Sequence, residues 1–518
     1  MQNLETHPKS RRPVHQLELE RPDRMEEACG VFAVQALEQP VANLVYFGLY
    51  ALQHRGQESA GIAVFNDGKV RLHKDMGLVS QVFDQDVLER MPGALAVGHN
   101  RYSTTGSSKV CNAQPVVLMT RLGPFALAHN GNLVNAAELR AQVDDGEVEF
   151  TSTTDSELIA YAVQQAVDGG LDWTEGIKAA ASQCQGAFSL VIGTSDALYG
   201  LRDGYGIRPL VYGYLGDQDR GHWVLSSETC GLDIIGSPFV ADVEPGELVV
   251  FRCGDPTPER HRWIEPTTRM CVFEMIYFAR PDSIIDDVSV YEARRNLGKQ
   301  LANRWNERGL KADVVIPVPD SACTSASTMA QHIGIEYREG LVKNRYIGRT
   351  FIMPGQGDRT SGVRRKLNSI RSEFEGKDVL LVDDSVVRGT TSRQIVDLAR
   401  AAGARKVFFA SCSPPVQFPC VYGVDMSTRA ELIAREKSEE QIAEAIGADA
   451  MIYQPISSLR KALKDAGSDL HYCAACFDGE YPTPEVTAET LAAIEACRIG
   501  EQEKLKTESA EDMSPSHG

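Results

Sequence analysis

The stretch Val379-Leu-Leu-Val-Asp383-Asp384-Ser385-Val-Val-Arg388-Gly389-Thr390-Thr391-Ser392 decides the fold of the second half of this chain. An apolar run delivers two acids to its end. A turn of small and hydroxyl residues follows, and then a helix pattern, Arg393-Gln-Ile-Val-Asp-Leu-Ala-Arg400. That is a strand, a loop and a helix N-terminus, whose outward-pointing N–H groups attract anions. Gly389 and the hydroxyls of Thr390, Thr391 and Ser392 suit a phosphate cradle. Asp383 and Asp384 suit a ribose diol or a hydrated Mg2+. The competing reading is a well-capped helix after a strand whose acids are merely solvated. Paired carboxylates at a buried strand end argue against it.

Working outward, Ala312-Asp-Val-Val-Ile-Pro-Val318 and Lys406–Ser411 read as further buried strands, with helical pattern between them. Residues 270–412 thus alternate strand and helix, which implies a parallel sheet with crossover helices. Pro319-Asp320-Ser321-Ala322 follows one strand as Asp383-Asp384 follows another. A site would lie at the carboxyl ends of neighbouring strands. Residues 430–500 read as helical, interrupted at Pro455 and around Tyr472–Pro484.

From Cys29 to about Phe251 the rhythm is different, with short strands and turn signals. Gly30-Val-Phe-Ala-Val, Ala60–Phe65 and Ala94–Gly98 are strands, and Asn66-Asp-Gly68 marks a hairpin. One helix is expected over Asp155–Val167, with Thr154 and Glu157 as a capping box. Residues 1–28 are polar, lack an apolar core segment and do not form a secretory signal. They read as a disordered leader.

The chain has 518 residues, enough for two or three domains. No apolar run reaches the length of a membrane span. The net charge of -18 argues against a general nucleic-acid binder. Against that background, residues 338–366 hold eight basic residues and two acidic ones, a candidate anion site. Twelve cysteines without a signal peptide point to thiol chemistry, a metal site or packing rather than to a disulfide framework. Cys473-Ala-Ala-Cys476 by itself is ambiguous among zinc, iron–sulfur, redox use and chance.

The Asp383–Ser392 segment resembles the phosphoribosyl-pyrophosphate (PRPP) loop of type I phosphoribosyltransferases. Cys29-Gly-Val-Phe, Gln53-His-Arg55-Gly, His99-Asn-Arg101-Tyr, His129-Asn130-Gly131-Asn132 and Thr154-Asp155-Ser-Glu157 together resemble the N-terminal-nucleophile (Ntn) glutamine amidotransferases. With Lys343-Asn-Arg345-Tyr and Arg364-Arg365-Lys366, nearly all of residues 29–480 is similar to the glutamine PRPP amidotransferase family.

That resemblance implies an αββα Ntn domain over 29–262, a phosphoribosyltransferase domain with a parallel sheet over 263–480, a leader over 1–28 that is removed, and a C-terminal helix and disordered tail over 481–518. Cys29 would attack glutamine, with its own freed α-amine as base. Asn130 and Gly131 would form the oxyanion hole. Arg101 would hold the glutamine carboxylate, Asp155 its ammonium, and Arg55 would support the pocket. Ser321, Asp383 and Asp384 would act around Mg2+, and Ser385, Arg388, Gly389, Thr390, Thr391 and Ser392 would bind PRPP. Lys343, Arg345 and Lys366 would neutralise pyrophosphate.

The resemblance also implies an amidophosphoribosyltransferase reaction in which ammonia passes internally to PRPP, giving 5-phosphoribosylamine at the first committed step of purine synthesis. It implies a cytoplasmic homotetramer inhibited by purine nucleotides. In one branch of the family a [4Fe–4S] cluster is held in contexts like those of Cys271, Cys420, Cys473 and Cys476; zinc is the competitor. Cys111, Cys184, Cys230, Cys253, Cys323, Cys412 and Cys497 are then expected to be packing residues. Two other readings differ in kind: an amidotransferase with a sugar-isomerase second half, and a PRPP-sensing regulator without catalysis.

Overall fold

The computed structural model describes residues 29–102, 109–146, 148–343, 367–424 and 428–496. The expected leader, Arg345, Lys366, Cys497 and most of the basic window lie outside these.

Alternating burial builds the first unit. Along the strand Gly30–Gln35 every residue is buried. Phe32 and Val34 pack with the helix Val41–Ala51, while Val31 and Ala33 face the other way. The strand Ser59–Asn66 repeats this, with Ile62 and Val64 on the helix side and Ala63 and Phe65 opposite. A two-residue period with both faces apolar is what a sheet covered on both sides requires. A second sheet supplies the inner cover. In the strand Gly123–Leu133, Ala126 and Ala128 face the first sheet, and Phe125 and Leu127 face the helices Asp155–Asp168 and Trp173–Ala181.

The sheets have seven and six strands. The layers therefore run helix, sheet, sheet, helix, as expected, and the last strand of the six-stranded sheet ends at Arg262. Asp67 and Gly68 both take positive φ, 49° and 72°, in the tight hairpin signalled by Asn66-Asp-Gly68.

The second unit is a five-stranded sheet. Its order is Glu336–Tyr337, Val314–Pro317, Asp378–Asp383, Lys406–Ser411 and Ala450–Tyr453, with every pairing parallel. Leu380 and Val382 pack toward the helices Val290–Glu307 and Cys323–Ile333, whereas Val379 and Leu381 pack toward the helices Thr390–Ala401 and Glu439–Ile446. The chain order along the sheet reverses between Val314–Pro317 and Asp378–Asp383. Such a switch point opens a crevice beyond the strand ends.

Two expectations need correction. Residues 430–500, expected to be helical apart from interruptions at Pro455 and around Tyr472–Pro484, also hold the edge strand Ala450–Tyr453; within the second interruption Tyr472–Cys473 pairs with Met270–Cys271. The capping box at Thr154 does not form. Glu157 instead reaches back to the amides and hydroxyls of Thr151 and Ser152, at 2.7–3.0 Å. Of the cysteines expected in packing, Cys184, Cys230 and Cys412 are buried, but Cys111 is exposed. Among the described residues no helix is long and apolar enough to cross a membrane.

Candidate active sites

Cys29 leads directly into the strand Gly30–Gln35, so its position is fixed by a central strand. Its thiol lies against the Tyr102 carbonyl oxygen at 3.7 Å. It opens on a cavity of about 260 Å³, part of it open to solvent, lined also by Arg101, Gln114, His129, Gly131, Thr154, Asp155 and Ser156. Burial pushes the thiol pKa up to about 12, against the pull of the Arg101 charge. A thiol so placed needs a base.

Asn130 stands between the lining residues His129 and Gly131 in the strand Gly123–Leu133; it is fully buried, and neither its amide nitrogen nor its oxygen has a protein partner. An uncompensated buried amide is costly unless something else completes it. Gly131, next to it, has φ 148°, and a Cβ there would meet the Ala187 carbonyl oxygen at 2.0 Å. Only glycine fits.

Asp155 begins the helix Asp155–Asp168 and accepts the Leu133 N–H at 2.9 Å. Burial raises its carboxyl, but the charge and hydrogen bond of His129 and the backbone donors outweigh this, so its pKa is held below the ordinary value. Arg101 is buried and pairs with Glu58 at 3.4 Å. Arg55, expected to support the pocket, lies behind Cys29 and outside the cavity lining; it donates to the Cys29 carbonyl at 3.3 Å and is held by Glu228 and Glu274. His129, Gln114 and Ser156 are site residues that the sequence reading passed over. His129 stands inside the quoted His129-Asn130-Gly131 motif, and adjacency was the available signal.

The second site forms at the switch point. Asp383 ends its strand, and Asp384 and Ser385 follow, all three buried. Ser321, after the strand Val314–Pro317, donates to one oxygen of Asp384, and Ser385 donates to the other at 2.7 Å. The two strand ends are thereby joined through one carboxylate. Gly389, at φ 80°, caps the helix Thr390–Ala401, and a Cβ there would meet Ile433 at 2.2 Å. No acidic side chain occupies the first turn of that helix. Its first N–H groups, from Thr390, Thr391 and Ser392, suit a phosphate. Arg388 lies 3.5 Å from Glu431, and Lys343 pairs with Asp320 at 3.0 Å.

Cys271, Cys420, Cys473 and Cys476 line a third space, about 320 Å³, together with Phe273, Tyr422 and Tyr481. Parallel pairing sets Cys271 beside Cys473. Among the described residues, no three His, Cys, Asp or Glu side chains could hold one ion as they stand.

Comparison with known proteins assigns the two units. Residues 99–233 match the glutamine amidotransferase domain, and residues 289–412 match the phosphoribosyl transferase domain. The chain is 54% identical over 467 residues to the amidophosphoribosyltransferase of Synechococcus elongatus, covering 90% of this chain and 93% of that one. The chain belongs to the amidophosphoribosyltransferase family.

Solved structures of family members agree. The glutamine PRPP amidotransferase of Bacillus subtilis, complexed with ADP and GMP, superposes with a TM-score of 0.81 at 42% identity, over 89% of this chain and 98% of that one. A structure described as the allosteric regulatory enzyme of purine biosynthesis superposes at 0.82 with 41% identity, over 90% of this chain and 99% of that one. A phosphoribosyl transferase domain in the second half decides against a sugar-isomerase partner. As an amidophosphoribosyltransferase, the chain is an enzyme of the pentosyltransferase class, with an Ntn-type amidotransferase unit followed by a phosphoribosyltransferase unit.

Proposed function

We propose that this chain joins two half-reactions, hydrolysing glutamine at Cys29 and delivering ammonia to PRPP at Asp383–Ser392. Glutamine-dependent amination of PRPP, the reaction of purine biosynthesis for which the family is named, fits both domains. The observation that carries the residue-level reading is the coexistence in one chain of the Cys29 cavity and the acid-paired turn at the switch point.

In the first half-reaction the Cys29 sulfur attacks the glutamine carboxamide. A freed α-amine on the same residue takes its proton, with an ordinary pKa of roughly 7.7–8.0. The buried, unpartnered Asn130 amide and the Gly131 N–H steady the oxyanion. Arg101 takes the substrate carboxylate as a paired donor, and Asp155 takes its ammonium.

In the second half-reaction the helix N-terminus at Thr390–Ser392 holds the 5′-phosphate, with Arg388 beside it. Asp383, Asp384 and Ser321 are the residues that would hold Mg2+, which when bound would supply positive charge to offset that of the departing pyrophosphate. Lys343 would assist, as would Arg345 and Lys366. Ammonia displaces pyrophosphate at the anomeric carbon and gives 5-phosphoribosylamine. Excluding water until ammonia arrives is the demand this chemistry makes on the site.

Four thiols around one cavity support a [4Fe–4S] cluster held by Cys271, Cys420, Cys473 and Cys476, in a structural role. We also propose a cytoplasmic homotetramer inhibited by purine nucleotides. The B. subtilis relative is named as a complex with ADP and GMP, which supports the nucleotide part. Light scattering tests the assembly state.

The deciding experiment is pyrophosphate release from PRPP and Mg2+, with glutamine and separately with ammonia, on anaerobically purified chain of known N-terminus. Activity with both is expected. Activity with neither, on intact protein, would leave a PRPP-binding regulator.

A further inference from the structure

Four charged side chains, Arg55, Glu228, Glu274 and Arg208, are completely buried in one network. Arg55 pairs with both Glu228 and Glu274, and Glu274 also accepts from Arg208 at 3.1 Å. Burying charge is expensive, and apolar packing would join two domains at lower cost. The ends of this network are informative. At one end Arg55 donates to the carbonyl of Cys29. At the other, Arg208 donates twice to the carbonyl of Tyr422, at 2.8 and 3.2 Å.

Tyr422 lies in the segment that carries Cys420, and its N–H points at the Cys420 sulfur at 3.3 Å. Two further contacts tie this segment to the glutamine cavity. Asn132 donates to the Val421 carbonyl at 3.0 Å. Gly423, at φ 95°, presses on Gly131, so that a Cβ on it would lie 3.0 Å from the Gly131 carbonyl. Residues 421–423 therefore touch both the residue after Asn130 and, through Arg208 and Glu274, the main chain of Cys29.

We infer that Glu274 and Arg208 are positioning residues for glutamine hydrolysis, which hold Cys29 and Gly131 in register with the segment that carries Cys420. This rests on the reading of Cys29 as the glutaminase nucleophile. Neither side chain lines the cavity, so their reach to it runs through Arg55 and through the backbone. Coupling of this kind needs a measured interaction between residues, not proximity alone.

The test uses the full chain, purified anaerobically, as Glu274→Gln, as Arg208→Lys, and as each combined with Cys420→Ser. Three quantities are read: the rate at which a chloroketone analogue of glutamine alkylates Cys29, pyrophosphate release with ammonia, and the melting temperature. The expected result is alkylation slowed tenfold or more with ammonia-dependent release within twofold of the unaltered chain. Cys420→Ser should slow alkylation less in the Glu274→Gln background than alone. Alkylation at the unaltered rate in both single variants overturns the proposal. So does a parallel fall of both activities with a lowered melting temperature in both, since that is a purely structural role. Absence of alkylation in the unaltered chain would sink the nucleophile reading, and the proposal with it.

Discussion

Gly423, from the phosphoribosyltransferase unit, packs its backbone directly on that of Gly131 in the amidotransferase unit. A methyl group there would sit 3.0 Å from the Gly131 carbonyl, tighter than an ordinary van der Waals contact. Gly423→Ala must push on the oxyanion-hole residue and also adopt a φ that costs an L-residue about 1–2 kcal/mol. We expect glutamine-dependent turnover to fall by roughly tenfold, as one oxyanion donor is misaligned, with ammonia-dependent turnover retained. Steady-state rates with the two nitrogen donors check this.

Cys29→Ser should separate the half-reactions more completely. Glutamine-dependent pyrophosphate release is expected to drop by roughly a thousandfold or more, as for other removed nucleophiles. Ammonia-dependent release should persist, because nothing at Asp383–Ser392 rests on the thiol. Glutamine-dependent release retained at the unaltered rate would place the nucleophile elsewhere.

The buried thiol also sets a pH dependence. Its pKa is raised to about 12, so the protonated form dominates below that, and the thiolate fraction falls tenfold per pH unit. In a chain that retains residues 1–28, alkylation of Cys29 should therefore climb steadily from pH 7 to 10. In a chain that begins at Cys29, the freed amine acts as base, and the rate should level off above roughly pH 8. Alkylation rates for the two forms across that range make the comparison.

Asp384 accepts from Ser321 and Ser385 and so fixes both strand ends at the switch point. Asp384→Asn removes the charge and converts one acceptor to a donor. A lost charge-assisted hydrogen bond costs about 2 kcal/mol, which is about thirtyfold in apparent PRPP affinity. The KM for PRPP at varied Mg2+, with ammonia as the nitrogen source, reports it.

Serine at Cys271, Cys420, Cys473 or Cys476 is expected to lower bound iron and acid-labile sulfide from about four of each per chain, and to lower the melting temperature. Stoichiometric zinc and no iron in the anaerobically purified unaltered chain would reverse the assignment.

Local pattern made the acid-paired turn legible, because Asp383-Asp384 at the end of an apolar run is decided by neighbours in sequence. Asn130-Gly131, which lie within a strand, were singled out by resemblance and not by local pattern. The strand Ala450–Tyr453 was hidden because four residues carry too little periodicity to compete with the helical flanks. Glu157 looked like a capping partner for Thr154, yet the Thr151 and Ser152 donors lay within its reach and won. Arg55 was expected to support the glutamine pocket by resemblance alone. Its partners Glu228 and Glu274 lie 173 and 219 residues away, and no local rule announces such a pairing.

The pairing of Met270–Cys271 with Tyr472–Cys473 has a consequence for biosynthesis. These two-residue strands close a loop that contains the whole phosphoribosyltransferase sheet. The ribosome has released the amidotransferase unit, the PRPP turn and Cys420 before it makes Cys476. The last thiol of the cavity is thus made after every strand of the phosphoribosyltransferase sheet. Closing that cavity must wait until the whole sheet has been synthesised, and a chain truncated before Cys476 cannot close it.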